Sequence, residues 1–179
     1  MDKSNASARV LKKLHVQKYA ASKAISGVRF IDFNFVSDDG GDFHEVLRLE
    51  NGVAVNVEGF ELRQINRSRF NPGLVKAFHL HFKQDEMWYV HPLDRLLVGL
   101  YDVRKGSTTE GESMRFVLGG GKPRALFIPK GVAHGGRVLG NSPVDVVYLV
   151  TEHFSKDQPD EWRLPWNVLG NDFWEIRKE

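Results

Sequence analysis

"FHLHFKQDE", residues 78–86, decides how the chain is read. On a β-strand successive side chains alternate faces, so His79, His81 and Lys83 point one way while Phe78, Leu80 and Phe82 point the other. Such a strand is half core and half polar. If the polar half lines the mouth of a small antiparallel barrel or sandwich, two imidazoles and the carboxylate of Glu86 converge in a pocket. If it faces outward, they are ordinary surface groups.

The flanks repeat the chemistry of this stretch. "VRFIDFNFV" (28–36), "RLLVGLYDVR" (95–104), "MRFVLG" (114–119), "RALFIP" (124–129) and "DVVYLV" (145–150) are short runs of β-branched and aromatic residues. They are separated by turn-forming segments such as "DDGGD" (38–42), "GGGKP" (119–123) and "LGNSP" (139–143). That spacing predicts an all-β sandwich or barrel. Helix is expected only near the termini. "SARVLKKLHVQKYAASKA" (7–24) is weakly amphipathic, and "DEWRLPWNVLGNDFWEIRK" (160–178) has room only for short turns around Pro165 and Gly170.

A chain of 179 residues with 41% hydrophobic content can bury one substantial core. The expected organisation is an N-terminal arm, residues 1–25, and a single domain, residues 26–179. The arm carries Lys3, Arg9, Lys12, Lys13, Lys18 and Lys23 against Asp2 alone, and is read as a solvated extension. With no cysteine, disulfides, thiolate zinc sites and a cysteine nucleophile are excluded. The balance of 25 basic and 23 acidic residues, net +2, does not suggest a nucleic-acid partner. No run approaches the roughly 20 apolar residues of a membrane span, and the start of the chain lacks the apolar run of a signal peptide. A cytoplasmic protein without a membrane partner is expected.

Gly73, His79, His81 and Glu86 stand at intervals that resemble the first motif of the cupin superfamily, and "PKGVAH" (129–134) resembles the core of the second. The resemblance implies a jelly-roll β-sandwich closed into a barrel, and a metal set of His79, His81, Glu86 and His134. Neutral imidazoles with a carboxylate suit Zn, Fe, Ni or Mn.

A second resemblance covers nearly the whole chain after the arm. "DDGGDFHE" (38–45), "RQINRS" (63–68), "LVKAFHLH" (74–81), "YDVRKGS" (101–107), "IPKGVAHGGRV" (128–138) and "VVYLV" (146–150) follow one another as the landmarks of the dTDP-4-dehydrorhamnose 3,5-epimerase family do. That family is a dimeric, metal-free cupin branch acting on nucleotide-linked 4-keto sugars. The resemblance implies an epimerase of a nucleotide-activated 4-keto-6-deoxy sugar, with His79 as catalytic base and Tyr148 as acid. It also implies substrate contacts from Glu45, Gln64, Asn66, Lys76 and His134, with Phe43 and Trp88 as aromatics available to a nucleotide base. A homodimer is implied and no cofactor, a divalent metal being the alternative.

The roles are chemically apt. A neutral imidazole with ordinary pKa about 6.5 can take a proton from the carbon beside a ketone, and a phenol with pKa about 10 can return one on the other face. Two departures from the family pattern stand out. Glu86 falls at or beside the place of a lysine that steadies the enolate, which requires another donor or a positive group against Glu86. The aspartate that supports the base is displaced in "WNVLGND" (166–172), leaving Asp172 or Asp102 as substitutes. Two rival functions use the same fold: a metal-dependent isomerase or dioxygenase on His79, His81, Glu86 and His134, and a sugar-binding cupin without chemistry.

Overall fold

The alternating runs become two facing antiparallel sheets in the computed structural model, which describes residues 6–14, 16, 23–55 and 57–177. With strands numbered in chain order, one sheet runs β1 (Arg29–Asp32), β11 (Arg124–Ile128), β8 (Glu86–Val90), β13 (Val144–Val150), β6 (Gln64–Phe70). The other runs β10 (Ser113–Gly119), β9 (Arg95–Asp102), β12 (Val132–Val138), β7 (Val75–Leu80), β14 (Trp162–Arg163). Two small hairpins, β2 (Phe35–Asp38) with β3 (Gly41–His44) and β4 (Leu49–Glu50) with β5 (Val53–Ala54), complete the strands. The expected all-β jelly-roll cupin fold is the one observed. Helix among the described residues is limited to α1 (Ala8–Leu11). Residues 15 and 17–22 of the predicted N-terminal helix lie outside the described residues. No described helix is long and apolar enough to cross a membrane.

Strand alternation sorts the apolar side chains into three layers. Between the sheets lie Trp88, Val90, Leu96, Val98, Leu100, Leu126, Ile128 and Val146, joined by Ile25 at the end of the arm. Their alternates point outward and are covered. Met87, Ala125, Phe127 and Leu149 pack under Ala54, Val57 and Phe60 of the segment around the second hairpin. Phe78, Leu80, Leu97 and Ala133 pack under Trp174 and its neighbours Leu164, Leu169 and Phe173 near the C-terminus. Both faces of each sheet are therefore apolar where covered. This is why Phe78 and Leu80, opposite the histidines, are buried as well. Each such side chain removed from water contributes about 1.5–3 kcal/mol.

The C-terminal stretch differs from expectation in one respect. Trp162 and Arg163 pair with Leu80 and His79 as an edge strand, and Leu164 exchanges both backbone hydrogen bonds with Phe78 (3.0 and 3.2 Å). Pro165 then stops the pairing and turns follow, as predicted.

One irregularity fixes what the cavity contains. Strict alternation would place Lys76 on the face of Phe78, away from His79. Ladder partners show otherwise: on β12, His134 pairs with His79 and Gly136 with Lys76, so two steps on β12 match three on β7. The extra residue is a β-bulge, and Ala77 and Phe78 both pack into the outer cluster. Lys76 and His79 thereby share the inner face. Facing the bulge is Gly135, where a Cβ would stand 2.3 Å from Ala77 Cβ and 2.6 Å from Lys76 O. Only glycine fits so close an approach.

Candidate active site

The inner faces of the sheets do not meet fully at one end, leaving a cavity of about 300 Å³. One wall carries Gln64, Asn66 and Ser68 from β6, Glu86 and Trp88 from β8, and Tyr148 from β13. The facing wall carries Lys76, His79, His81 and His134 from β7, its end and β12. Of the residues expected at a site, Gln64, Asn66, Lys76, His79, His134 and Tyr148 thus line one cavity, together with His81 and Glu86. Glu45 does not. It follows the first hairpin and forms an ion pair with Arg48 (2.7 Å), away from the cavity lining. Phe43 on that hairpin is exposed, whereas Trp88 is buried and donates its indole N–H to Glu86 (2.6 Å).

His79 sits at the cavity wall with its Nδ1 3.3 Å from Glu161 Oε1. A proton on Nδ1 faces that carboxylate, which leaves Nε2 as the basic nitrogen. Glu161 in turn takes Arg163 Nη2 at 2.7 Å. Burial, the neighbouring His134 and the Arg163 charge push His79 down to about 4, against the opposing pull of Glu161 and Glu86. The imidazole is therefore neutral at neutral pH. The carboxylate beside it is not one of the two expected from the sequence. Asp102 is buried in a separate network, accepting from Arg104, Ser107 and Thr109, and Asp172 lies in the C-terminal turns.

Glu86 is fully enclosed and saturated with partners. Its Oε1 accepts from Gln84 Nε2 (2.8 Å) and lies 3.1 Å from His81 Nε2. Its Oε2 accepts from Trp88 and lies 3.3 Å from His134 Nε2. Burial favours its neutral form, but the two histidines and the indole outweigh it and hold the carboxyl down to about 2. Burial likewise opposes charge on His81, yet the Glu86 hydrogen bond and charge raise its pKa. The Nδ1 of His81 meets the backbone carbonyl of Asp160, so both its ring nitrogens face acceptors, as suits an imidazolium. His134 is held below its ordinary value by burial, against the pull of Glu86. The positive group required against Glu86 is thus His81.

The rest of the lining is polar and preorganised. Tyr148 keeps its proton: burial, then Glu86 and Glu161, raise its pKa. Lys76 donates to Ser68 Oγ (2.6 Å) and lies 4.8 Å from the centroid of the Phe70 ring. Gln64 bridges Asn66 Oδ1 (2.6 Å) and the backbone N–H of Phe154 (3.0 Å), fixing the loop after β13. The carboxylate of Asp160 accepts backbone N–H groups of Phe82, Lys83 and Gln84, which shapes the rim. Glu161 and Asp160 were not expected from the sequence, since only sheet pairing across β7 and β14 brings them to the site; Gln84, two residues before Glu86, was not expected either.

The metal set implied by the cupin resemblance is assembled in part. His81, Glu86 and His134, all buried, offer ligand atoms within 4.8 Å of one another, whereas His79 is outside that group.

Comparison with known proteins agrees with this fold. Residues 22–168 match the family model described as dTDP-4-dehydrorhamnose 3,5-epimerase. SpsL of Bacillus subtilis, a spore coat polysaccharide biosynthesis protein, is 43% identical over 143 residues, covering 80% of this chain and 91% of the relative. The probable low-salt glycan biosynthesis epimerase Agl13 of Haloferax volcanii is 34% identical over 96 residues, 54% of this chain and 62% of that one. Among solved structures, the dTDP-6-deoxy-D-glucose-3,5-epimerase RmlC of Legionella pneumophila, in complex with dTDP-4-keto-L-rhamnose, superimposes with a TM-score of 0.71. It is 23% identical, over 88% of this chain and 84% of that one. The chain belongs to the dTDP-4-dehydrorhamnose 3,5-epimerase family of carbohydrate epimerases.

Proposed function

We propose that this chain epimerises a nucleotide-activated 4-keto-6-deoxy sugar at C3, C5 or both, with His79 as base and Tyr148 as acid. One observation carries the reading. His79, a neutral imidazole buried in the wall with Glu161 at its Nδ1 and no direct contact with Glu86, stands on one side of the cavity, and the protonated phenol of Tyr148 stands on the other. A sugar ring between the sheets would meet a base on one face and an acid on the opposite face, the arrangement that inversion beside a ketone requires. His79 Nε2 takes the proton from the ring carbon, leaving an enolate. Tyr148 gives its proton to the other face of the same carbon, which restores the ketone; His79 then releases its proton to solvent and Tyr148 takes one back from it. Positive charge for the enolate is available from His81, and Lys76 is placed to meet a diphosphate as a point charge.

Gln64, Asn66 and His134 would contact the sugar. Glu45, outside this cavity, would serve substrate only across the homodimer that the family resemblance implies. The test is proton exchange from deuterated water into a dTDP-4-keto-6-deoxy sugar, followed with His79→Ala and Tyr148→Phe. Each variant is expected to stay folded and to lose about 100- to 10,000-fold in turnover. Wild-type turnover in both would refute the assignment, and no exchange with the unaltered protein would favour a sugar-binding role.

A further inference from the structure

Glu161 reaches His79 from just before β14, a strand of two residues at the edge of its sheet. Beyond that strand, Leu164 exchanges backbone hydrogen bonds with Phe78 and anchors one side. On the other side the chain arrives from residues 152–159, every one of them exposed. Their polar contacts include the Phe154 N–H on Gln64 Oε1 (3.0 Å) and the Gln158 N–H on Ser155 Oγ (3.1 Å). Strand ends with so little buried apolar contact open readily, and Glu161 stands at such an end.

Asp160 closes this end. Its carboxylate accepts the backbone N–H groups of Phe82 (3.0 Å), Lys83 (2.7 Å) and Gln84 (3.3 Å), consecutive donors of the turn between β7 and β8 that have no backbone partner among the described residues. Its backbone carbonyl accepts from Nδ1 of His81. One residue thus grips the end of β7 and the turn after it through both side chain and main chain, immediately before Glu161. A carboxylate suits the task, because N–H groups aimed at one point need an acceptor with several lone pairs, and charge-assisted bonds are roughly twice as strong as neutral ones. Between this grip and the pairing of Trp162 and Arg163 with Leu80 and His79, the Glu161 side chain has little freedom, and its carboxylate meets His79 Nδ1 at 3.3 Å. We infer that Asp160 is a positioning residue for the proposed base: docked on the N–H groups of Phe82, Lys83 and Gln84, it sets Glu161 against His79. The inference rests on the role given to His79 and adds the residue that places its supporting carboxylate. An Asp160 that only satisfied the turn would contribute stability and leave the rate of the folded protein alone.

The experiment is a double-mutant cycle on the full chain, read as kcat and KM for deuterium exchange into a dTDP-4-keto-6-deoxy sugar, with backbone amide exchange as a second measurement. Asp160→Ala is expected to lower kcat by on the order of 10-fold while KM changes less. Asp160→Asn, which keeps one acceptor oxygen, is expected to recover part of that loss. In a Glu161→Gln background, Asp160→Ala should cost less than about 3-fold more, since the carboxylate it positions is already gone. Unaltered kcat in a folded Asp160→Ala variant overturns the inference, as do losses that multiply in full across the cycle. Should Asp160→Ala fail to fold, Asp160→Asn takes its place in the cycle with the same outcomes. If His79→Ala keeps its turnover, the base reading has failed, and amide exchange decides the placement of Glu161 by itself. The Leu164 N–H, bonded to Phe78 O, is then expected to exchange about 10-fold faster in Asp160→Ala than in the unaltered protein. Unchanged protection there overturns the inference.

Discussion

Replacing Glu161 with glutamine removes the charge beside His79 while keeping the shape of the side chain. In the proposed reaction the imidazole becomes an imidazolium 3.3 Å from that carboxylate. Two unit charges at this distance attract by about 1.3 kcal/mol in bulk water and about 5 kcal/mol at an effective dielectric of ~20. Glu161 is 38% exposed and shares its Oε1 with Arg163 at 2.7 Å, so screening and competition set the value near the lower end. A loss of about 1–2 kcal/mol follows, or roughly 5- to 30-fold in turnover. Solvent deuterium exchange under saturating nucleotide sugar measures it. The effect is expected in kcat rather than KM, because the pair strengthens only as His79 charges. Glu161→Asp should recover part of the rate, and Arg163→Gln should raise it by freeing Glu161 for His79. Unchanged kcat in Glu161→Gln, or a loss confined to KM, would show that Glu161 does not support the base.

Two further predictions concern the frame of the site. Asp102, wholly buried, accepts three bonds from Arg104 as well as the hydroxyls of Ser107 and Thr109, and these partners hold its carboxyl far below the usual range despite burial. Asp102→Asn should cost about 3–5 kcal/mol in urea unfolding at neutral pH. Because the folded pKa is depressed, that stabilisation is complete above the unfolded value of about 3.9 and is lost as pH falls below it. The gap between variant and unaltered protein should therefore narrow in acid, and a constant gap would refute the charge-based origin. Gly135→Ala puts a methyl against Ala77 and the Lys76 carbonyl. Overpacking of about 1–3 kcal/mol and a fall in exchange rate are expected together, whereas an unshifted unfolding midpoint would mean that β7 yields freely.

The sequence was most legible where one rule governs. Alternation in "FHLHF" puts His79 and His81 on the inner face, and the order of landmarks brings Tyr148 and Gln64 to the opposite wall. It was least legible where two segments meet. A bulge of one residue puts Lys76 beside His79, but "LVKAFHLH" reads as an unbroken strand because nothing local marks the insertion. Glu161 lies in "PDEWRLP", which resembles an exposed acidic turn, and only the pairing of Trp162 and Arg163 with Leu80 and His79 carries it to His79. Of the two aspartates read as substitutes, Asp102 is committed to Arg104, Ser107 and Thr109, and Asp172 lies in the C-terminal turns. Glu45 matches a motif position, but its hairpin stands apart from the cavity of its own chain.

The short edge strand β14 has a consequence for assembly. Within four consecutive residues, the Asp160 carbonyl meets His81, its carboxylate gathers the Phe82–Gln84 backbone, Glu161 meets His79, Trp162 packs on Phe82, and Arg163 holds Glu161. This strand follows every other described strand in chain order. During synthesis the sheets can therefore close around an empty pocket before His79 has Glu161 or His81 has the Asp160 carbonyl. The candidate site is finished by the last strand to dock, so a folded sandwich and a complete site are separate events.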